Sequence, residues 1–197
     1  MKKVTIGVSG ASGGLYTLRL IEQLVKASVN ISLVISSAGY LVLKDETDLQ
    51  LPGNPQRCEE YLIKYFTAQK NQIKVYGKDQ WYSPLASGSS APKAMVVCPC
   101  SVGCLSAIAQ GVSDNLLERA ADVVIKEQGK LILLVREMPF SAIHLEHMLS
   151  LARLGVCIMP ANPGFYFKPQ KIEDLVDFVV ARILDHLDVG NELSGRW

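Results

Sequence analysis

The stretch Gly7-Val8-Ser9-Gly10-Ala11-Ser12-Gly13-Gly14 joins small side chains and two hydroxyls to an apolar helical spacing at Leu15, Leu18, Ile21 and Leu24. A strand that breaks into such a loop and resumes as a helix leaves unpaired N–H groups and a partial positive charge at the helix start, where an anionic phosphate binds. The Ser9 and Ser12 hydroxyls are expected to add donors. The spacing G-x-x-G-x-x-G differs from the dinucleotide fingerprint G-x-G-x-x-G, and the next apolar run, residues 31–35, ends in Ser36 and Ser37. A dinucleotide site places an acidic residue there for the ribose. A mononucleotide such as FMN therefore fits better than NAD. A plain connecting turn is the competing reading. A nucleophile elbow at Ser9 is set aside, because Gly7-Val8-Ser9-Gly10-Ala11 lacks the closing glycine of G-x-S-x-G.

Four further segments carry reactive or charged groups. Cys98-Pro99-Cys100-Ser101-Val102-Gly103-Cys104 again opens a helix with small residues and offers a second anion or flavin contact. Its cysteine spacing is wrong for a zinc knuckle, and no partner pair follows, so no metal site is expected. Asp114 is read as a helix cap, with Arg119 and Lys126 two turns apart on one face and Glu118 and Asp122 as charge partners. Arg136-Glu137 sets a guanidinium and a carboxylate at a strand end, where charges need a reason. Pro160-Ala161-Asn162-Pro163-Gly164-Phe165-Tyr166 supplies a phenol. Converging cations and a tyrosine hydroxyl suit a small phosphorylated substrate. His144 and His147 do not form H-E-x-x-H and are read as solvated or core residues.

These segments need a frame. Apolar runs at residues 4–8, 31–35, 94–98, 131–135 and 156–159 alternate with helical patterns at 14–27, 55–66, 101–110, 114–126, 141–154 and 172–187. That alternation predicts an α/β fold: one domain over residues 1–197, a Rossmann-like or flavodoxin-like parallel sheet with helices on both faces. Ligands of such sheets bind at the carboxyl ends of the strands, which here carry Ser9–Gly13, Ser36, residues 99–104, Arg136-Glu137 and residues 160–166. Residues 69–93, with Pro84, Pro92 and Ala86-Ser87-Gly88-Ser89-Ser90, read as a long functional loop. The chain has 197 residues, 49% of them hydrophobic, and 20 basic against 19 acidic side chains. This balance gives no electrostatic case for nucleic acid or an anionic membrane. No apolar stretch suits a signal peptide or a membrane span, and an odd count of five cysteines points to a reducing, cytoplasmic setting.

Six motifs in order resemble the UbiX-type flavin prenyltransferases: Gly7-Val8-Ser9-Gly10-Ala11-Ser12-Gly13; Ala86-Ser87-Gly88-Ser89; Cys98-Pro99-Cys100-Ser101; Ser113-Asp114-Asn115-Leu116-Leu117-x-Arg119-Ala120-Ala121-Asp122-Val123; Arg136-Glu137-x-Pro139; and Pro160-Ala161-x-Pro163-x-Phe165-Tyr166. The resemblance covers essentially the whole chain. It implies transfer of a dimethylallyl group from dimethylallyl monophosphate to N5 and C6 of reduced FMN, without a metal, making a prenylated flavin for a UbiD-type decarboxylase. It implies FMN contacts at Gly10, Ala11, Ser12, Ser36, Ser101, Val102, Gly103, Cys104 and Arg136, and prenyl-phosphate ligands at Lys126, Tyr166 and Arg182. It assigns catalysis to Glu137, the acid/base, with Ser12, Lys126, Arg119, Glu46 and Trp81. It further implies a homo-oligomer, usually a dodecamer, with sites at subunit junctions and the tail of residues 188–197 at an interface. Cys104 departs from a frequent threonine. A cysteine-type FMN decarboxylase of the same fold relies on an early histidine, whereas the first histidine here is His144. A non-catalytic flavin carrier would leave Glu137, Lys126 and Arg182 without purpose.

Overall fold

Every strand of the sheet runs in the same direction. The computed structural model describes residues 2–90 and 93–193. Its six strands are β1 (Lys3–Val8), β2 (Asn30–Ile35), β3 (Ile73–Tyr76), β4 (Ala94–Cys100), β5 (Lys130–Val135) and β6 (Cys157–Pro160). They pair in the order β3-β2-β1-β4-β5-β6, each parallel to its neighbour. The helices are α1 (Gly14–Lys26), α2 (Ser37–Glu46), α3 (Pro55–Tyr65), α4 (Val102–Ala109), α5 (Leu116–Lys126), α6 (Ala142–Arg153) and α7 (Ile172–His186). Crossovers between parallel strands place these helices on both faces. The order reverses between β1 and β4, and there the crevice for a ligand opens.

Near-continuous apolar strands follow from this double covering. Val4, Ile6 and Val8 of β1, with Ile132 and Leu134 of β5, pack against Leu20 and Leu24 of α1 and Val180 and Ile183 of α7. On the other face Met95 and Val97 of β4, with Leu131 and Leu133 of β5, meet Leu105 of α4 and Leu117, Ala121 and Val124 of α5. Alternate residues of one strand thus feed two different cores. Arg19 of α1 fixes the seam to α7, with Nε 2.6 Å from Asp177 Oδ1.

Two elements differ from the sequence reading. Residues 73–76 form the short edge strand β3 rather than part of one long loop, and the same segment adds a single 3-10 turn at Pro84–Ala86. Helix α2 was not expected. Its apolar residues Tyr40, Leu41, Val42 and Leu43 are contiguous rather than spaced by helical turns, and Gly39 and Leu43 are its buried positions. The α5 cap is also reassigned: Asn115 Oδ1 accepts from Glu118 N–H at 3.1 Å, and the Asp114 N–H donates to Glu118 Oε2.

Helix α2 and the end of β1 interlock through glycine. A Cβ on Gly39 would lie 2.5 Å from the Val8 carbonyl oxygen, and one on Gly10 would lie 2.5 Å from Ala38 Cβ. Gly39→Ala must push α2 off the sheet edge. Urea denaturation should show a loss of about 1–3 kcal/mol, the usual scale for an added methyl in a packed site; an unchanged midpoint would contradict this packing.

Candidate active site

The carboxyl edge of the sheet is stitched laterally. Ser36 N–H donates to Val8 O at 2.9 Å, Ser9 N–H to Pro99 O at 3.2 Å, Arg136 N–H to Cys100 O at 3.2 Å, and Ala161 N–H to Val135 O at 2.9 Å. Ser9 itself is buried. Its hydroxyl donates to Pro99 O at 2.9 Å and accepts from Ser101 N–H at 2.7 Å. Ser9 therefore does not aim a donor into the cradle, contrary to the sequence reading. Thr17 Oγ1 adds a bond to Cys98 O at 2.7 Å.

Helices α1, α2 and α4 begin at this edge. Ser36 caps α2, accepting from Gly39 N–H at 3.0 Å, and Ser101 caps α4, accepting from Cys104 N–H at 3.3 Å. Helix α1 is answered differently. Glu46 Oε2 accepts from the N–H groups of both Gly13 and Gly14 at 2.8 Å. A carboxylate thus takes the position in which the sequence reading placed a phosphate. Burial raises the Glu46 carboxyl, but hydrogen bonds from Ser12, Gly13 and Gly14 and the charge of Arg136 outweigh it and hold the group below the usual carboxylate range.

Two thiols of this edge are pushed above the usual thiol range. Burial pushes Cys98 up to about 12, and a hydrogen bond with Cys104, together with burial, raises Cys100 far above the usual thiol value. Among the described residues no group of three His, Cys, Asp or Glu side chains gathers around a possible metal position. His147 ties α4 to α6, with Nδ1 3.0 Å from Ser106 Oγ and Nε2 3.1 Å from Gln110 Nε2, while His144 closes the α6 capping box with Ser141.

The family model described as Flavoprotein matches residues 1–184. A flavin prenyltransferase UbiX from Pseudomonas aeruginosa is 52% identical over 196 residues, covering 100% of this chain and 94% of that protein. The chain belongs to the UbiX flavin prenyltransferase family. Two solved relatives share the fold throughout. AnUbiX (PadA1), in complex with FMN and dimethylallyl pyrophosphate, matches with a TM-score of 0.88 and 34% identity, covering 100% of this chain and 97% of that one. A dodecameric FMN-dependent UbiX-like decarboxylase from Escherichia coli O157:H7 matches with a TM-score of 0.87 and 35% identity, covering 99% and 98%.

As a UbiX chain, the protein brings only part of the expected set together. Gly10, Ala11, Ser12, Ser36, Ser101, Val102, Gly103, Cys104, Arg136, Glu137 and Glu46 share the carboxyl edge, with Tyr166 on the loop after β6. Glu137 Oε1 accepts from Met138 N–H at 3.1 Å. Lys126 is the last residue of α5, pairs with Glu127 and lies against Gly88. Since α5 leads back to the start of β5, Lys126 faces the amino edge. Arg119 lies between the edges, its Nε 3.2 Å from Ala86 O and its Nη1 2.6 Å from Asp122 Oδ2. Arg182 donates to Asp185 Oδ2 at 3.0 Å. Burial pushes the Cys157 thiol up, and the charges of Lys130 and Arg182 act against that rise, so Arg182 stands near the start of β6. The final helix passes beside Tyr166 one turn before Arg182: a Cβ on Gly164 would meet both Phe178 Cζ and Tyr166 Cδ2 at 3.0 Å. Trp81 lies on the connection after β3, between Lys78, whose carbonyl accepts from Leu116 N–H at 2.7 Å, and Leu85, which packs in the core beside α5. Of the tail, residues 194–197 lie outside the described residues.

The Glu46 contacts have a pH signature. A carboxyl whose folded value is depressed contributes stability that is fully present above its unfolded value of about 4.3 and is lost as pH falls through the lower folded value. Glu46→Gln keeps an acceptor but removes the charge. It should cost about 1 kcal/mol at pH 7, with the gap to the parent protein closing below pH of about 4. Denaturant titrations across that range test this; a gap independent of pH would mean that the charge does not act on α1.

Proposed function

We propose that this chain transfers a dimethylallyl group from dimethylallyl monophosphate to N5 and C6 of reduced FMN, and that neighbouring subunits complete each site. The carrying observation is the division of the family's residues between two opposite edges of one sheet. The carboxyl edge fits a flavin mononucleotide. The starts of α2 and α4 face the crevice with their first N–H groups outside the helical bonding pattern, and a side chain at Gly103 would meet nothing within 4 Å among the described residues. Ser36, Ser101, Val102, Gly103 and Cys104 would hold the flavin from these helix ends, with Gly10, Ala11, Ser12 and Arg136 closing on it. When bound in reduced form, FMN supplies the nucleophilic nitrogen and carbon that accept the prenyl unit.

The protein's own groups manage charge and protons. As the allylic C–O bond breaks, its electron pair leaves with the phosphate, and Lys126, Arg119, Arg182 and the Tyr166 hydroxyl match that charge. Glu137 gives a proton to the departing phosphate and regains one from flavin C6. Ser12 and Glu46 hold the loop that would border the flavin. The Trp81 ring and the flavin offer π faces to the allyl cation.

Lys126 ends α5 just before the start of β5, whereas Glu137 follows the end of that strand, which supports a second subunit as the source of this cation. A homo-oligomer, in our reading a dodecamer as in the Escherichia coli relative, would set one subunit's amino edge against another's carboxyl edge. The exposed apolar side chains of Met138 (88% exposed), Ile143 (62%) and Leu154 (66%) support such a contact. No helix among the described residues is long and apolar enough to cross a membrane. The product would pass to a UbiD-type decarboxylase.

The direct test is to reduce protein-bound FMN, add the prenyl donor and weigh the flavin. Gain of one C5 unit is expected from the monophosphate, with the pyrophosphate as comparison. No gain from either would end the transferase reading. Glu137→Gln should keep FMN affinity and slow turnover about 100-fold or more; wild-type rates would remove Glu137 from the mechanism.

Subunit sharing has its own test. Lys126→Ala and Glu137→Gln proteins, each impaired alone, should recover activity when dissociated together and reassembled, because some junctions then carry neither change. Mixtures no more active than their components would place the whole site within one chain.

A further inference from the structure

We infer that Ser9 is a positioning residue that sets the separation of the two flavin-holding loops by replacing a main-chain link that Pro99 cannot make. The β1–β4 pairing runs through Thr5–Met95, Ile6–Val96 and Gly7–Val97, and then stops. Pro99 has no N–H to continue it. Beyond that point Pro99 still accepts from the Ser9 main chain at 3.2 Å. The link to Ser101 has no main-chain substitute: its N–H donates to Ser9 Oγ at 2.7 Å, and the same hydroxyl donates to Pro99 O at 2.9 Å.

Ser101 is the cap of α4, and Gly10 follows Ser9 directly. One buried hydroxyl thereby fixes the α4 start to the Gly10-Ala11-Ser12 loop. The other lateral links, from Ser36 to Val8, Arg136 to Cys100 and Ala161 to Val135, are main chain to main chain and survive any side-chain change. This strut is open to substitution. Its removal also takes away the partner of the half-buried Ser101 N–H.

The inference rests on the reading of this edge as a flavin cradle. Ser9→Ala, Ser9→Thr and Ser9→Cys are compared by FMN titration, by thermal melting, and by KM for dimethylallyl monophosphate at saturating FMN. Ser9→Ala should raise the FMN Kd about ten-fold or more, the scale of a lost buried hydrogen bond. The prenyl-phosphate KM should stay within about two-fold, because no proposed phosphate ligand hangs on the strut. Ser9→Thr keeps the hydroxyl and should restore FMN affinity. Should Ser9→Ala not fold, Ser9→Cys, whose thiol is a weaker partner, should fall between threonine and the loss expected of alanine. A Ser9→Ala Kd within two-fold of the parent, or a folded Ser9→Thr protein that fails to regain affinity, overturns the strut. A parent protein that takes up no FMN overturns the cradle reading instead.

Discussion

Six parallel strands force the helices that follow them to begin at one edge, and a helix begins with N–H groups that nothing in the helix can satisfy. Most of what is distinctive about this chain answers that constraint. At α1 the answer is internal: the Glu46 carboxylate, from the end of α2, sits on the Gly13 and Gly14 amides. At α2 and α4 the serines at positions 36 and 101 satisfy one amide each and leave the rest of the opening turn facing the crevice. The edge therefore has its negative charge at one helix and room for an anion at two others. This distribution orients a phosphate-bearing ligand, because Glu46 repels a second anion from α1 while α2 and α4 attract it.

The same arrangement explains why the loops are built from small residues. Gly10 lies where a side chain would strike Ala38, and Gly39 lies where one would strike the Val8 carbonyl. The start of α2 is thereby drawn against the end of β1. Close approach brings Glu46, eight residues after Ala38, back over the α1 start. Neither glycine has a positive φ. Space, not backbone freedom, is the reason for glycine at both positions.

Long apolar strands were legible from residues alone, because β1, β2, β4 and β5 are buried on both faces and read as unbroken runs. The edge strand β3 was not, since Lys74 points to solvent and only four residues pair. Helix α2 escaped because its apolar residues are contiguous and its work is done at its two ends, by Ser36 and Glu46. Nothing local links position 46 to positions 13 and 14, so the filling of the α1 cradle by a side chain could only be seen in three dimensions. Asp114 illustrates a finer limit: it and Asn115 are both good caps, and one residue of register decides between them.

The cations tell the opposite story. Lys126 and Arg182 are recognisable as family residues from the sequence, yet nothing local in the sequence shows where the fold sets them. Each is held by a neighbouring carboxylate, Lys126 by Glu127 and Arg182 by Asp185. Such exposed pairs are worth little in water, about 0–1 kcal/mol, so Glu127 and Asp185 give up their partners at small cost when a phosphate dianion enters a drier junction. An allylic phosphate needs its cations only where a flavin already waits, and a lone chain with all of them in one cleft would bind free phosphate in the absence of flavin. In the proposed assembly, dividing the charges between subunits would make the anion site depend on their association. Flavin site and phosphate site would then become competent together, and the allyl cation would be released only beside its acceptor.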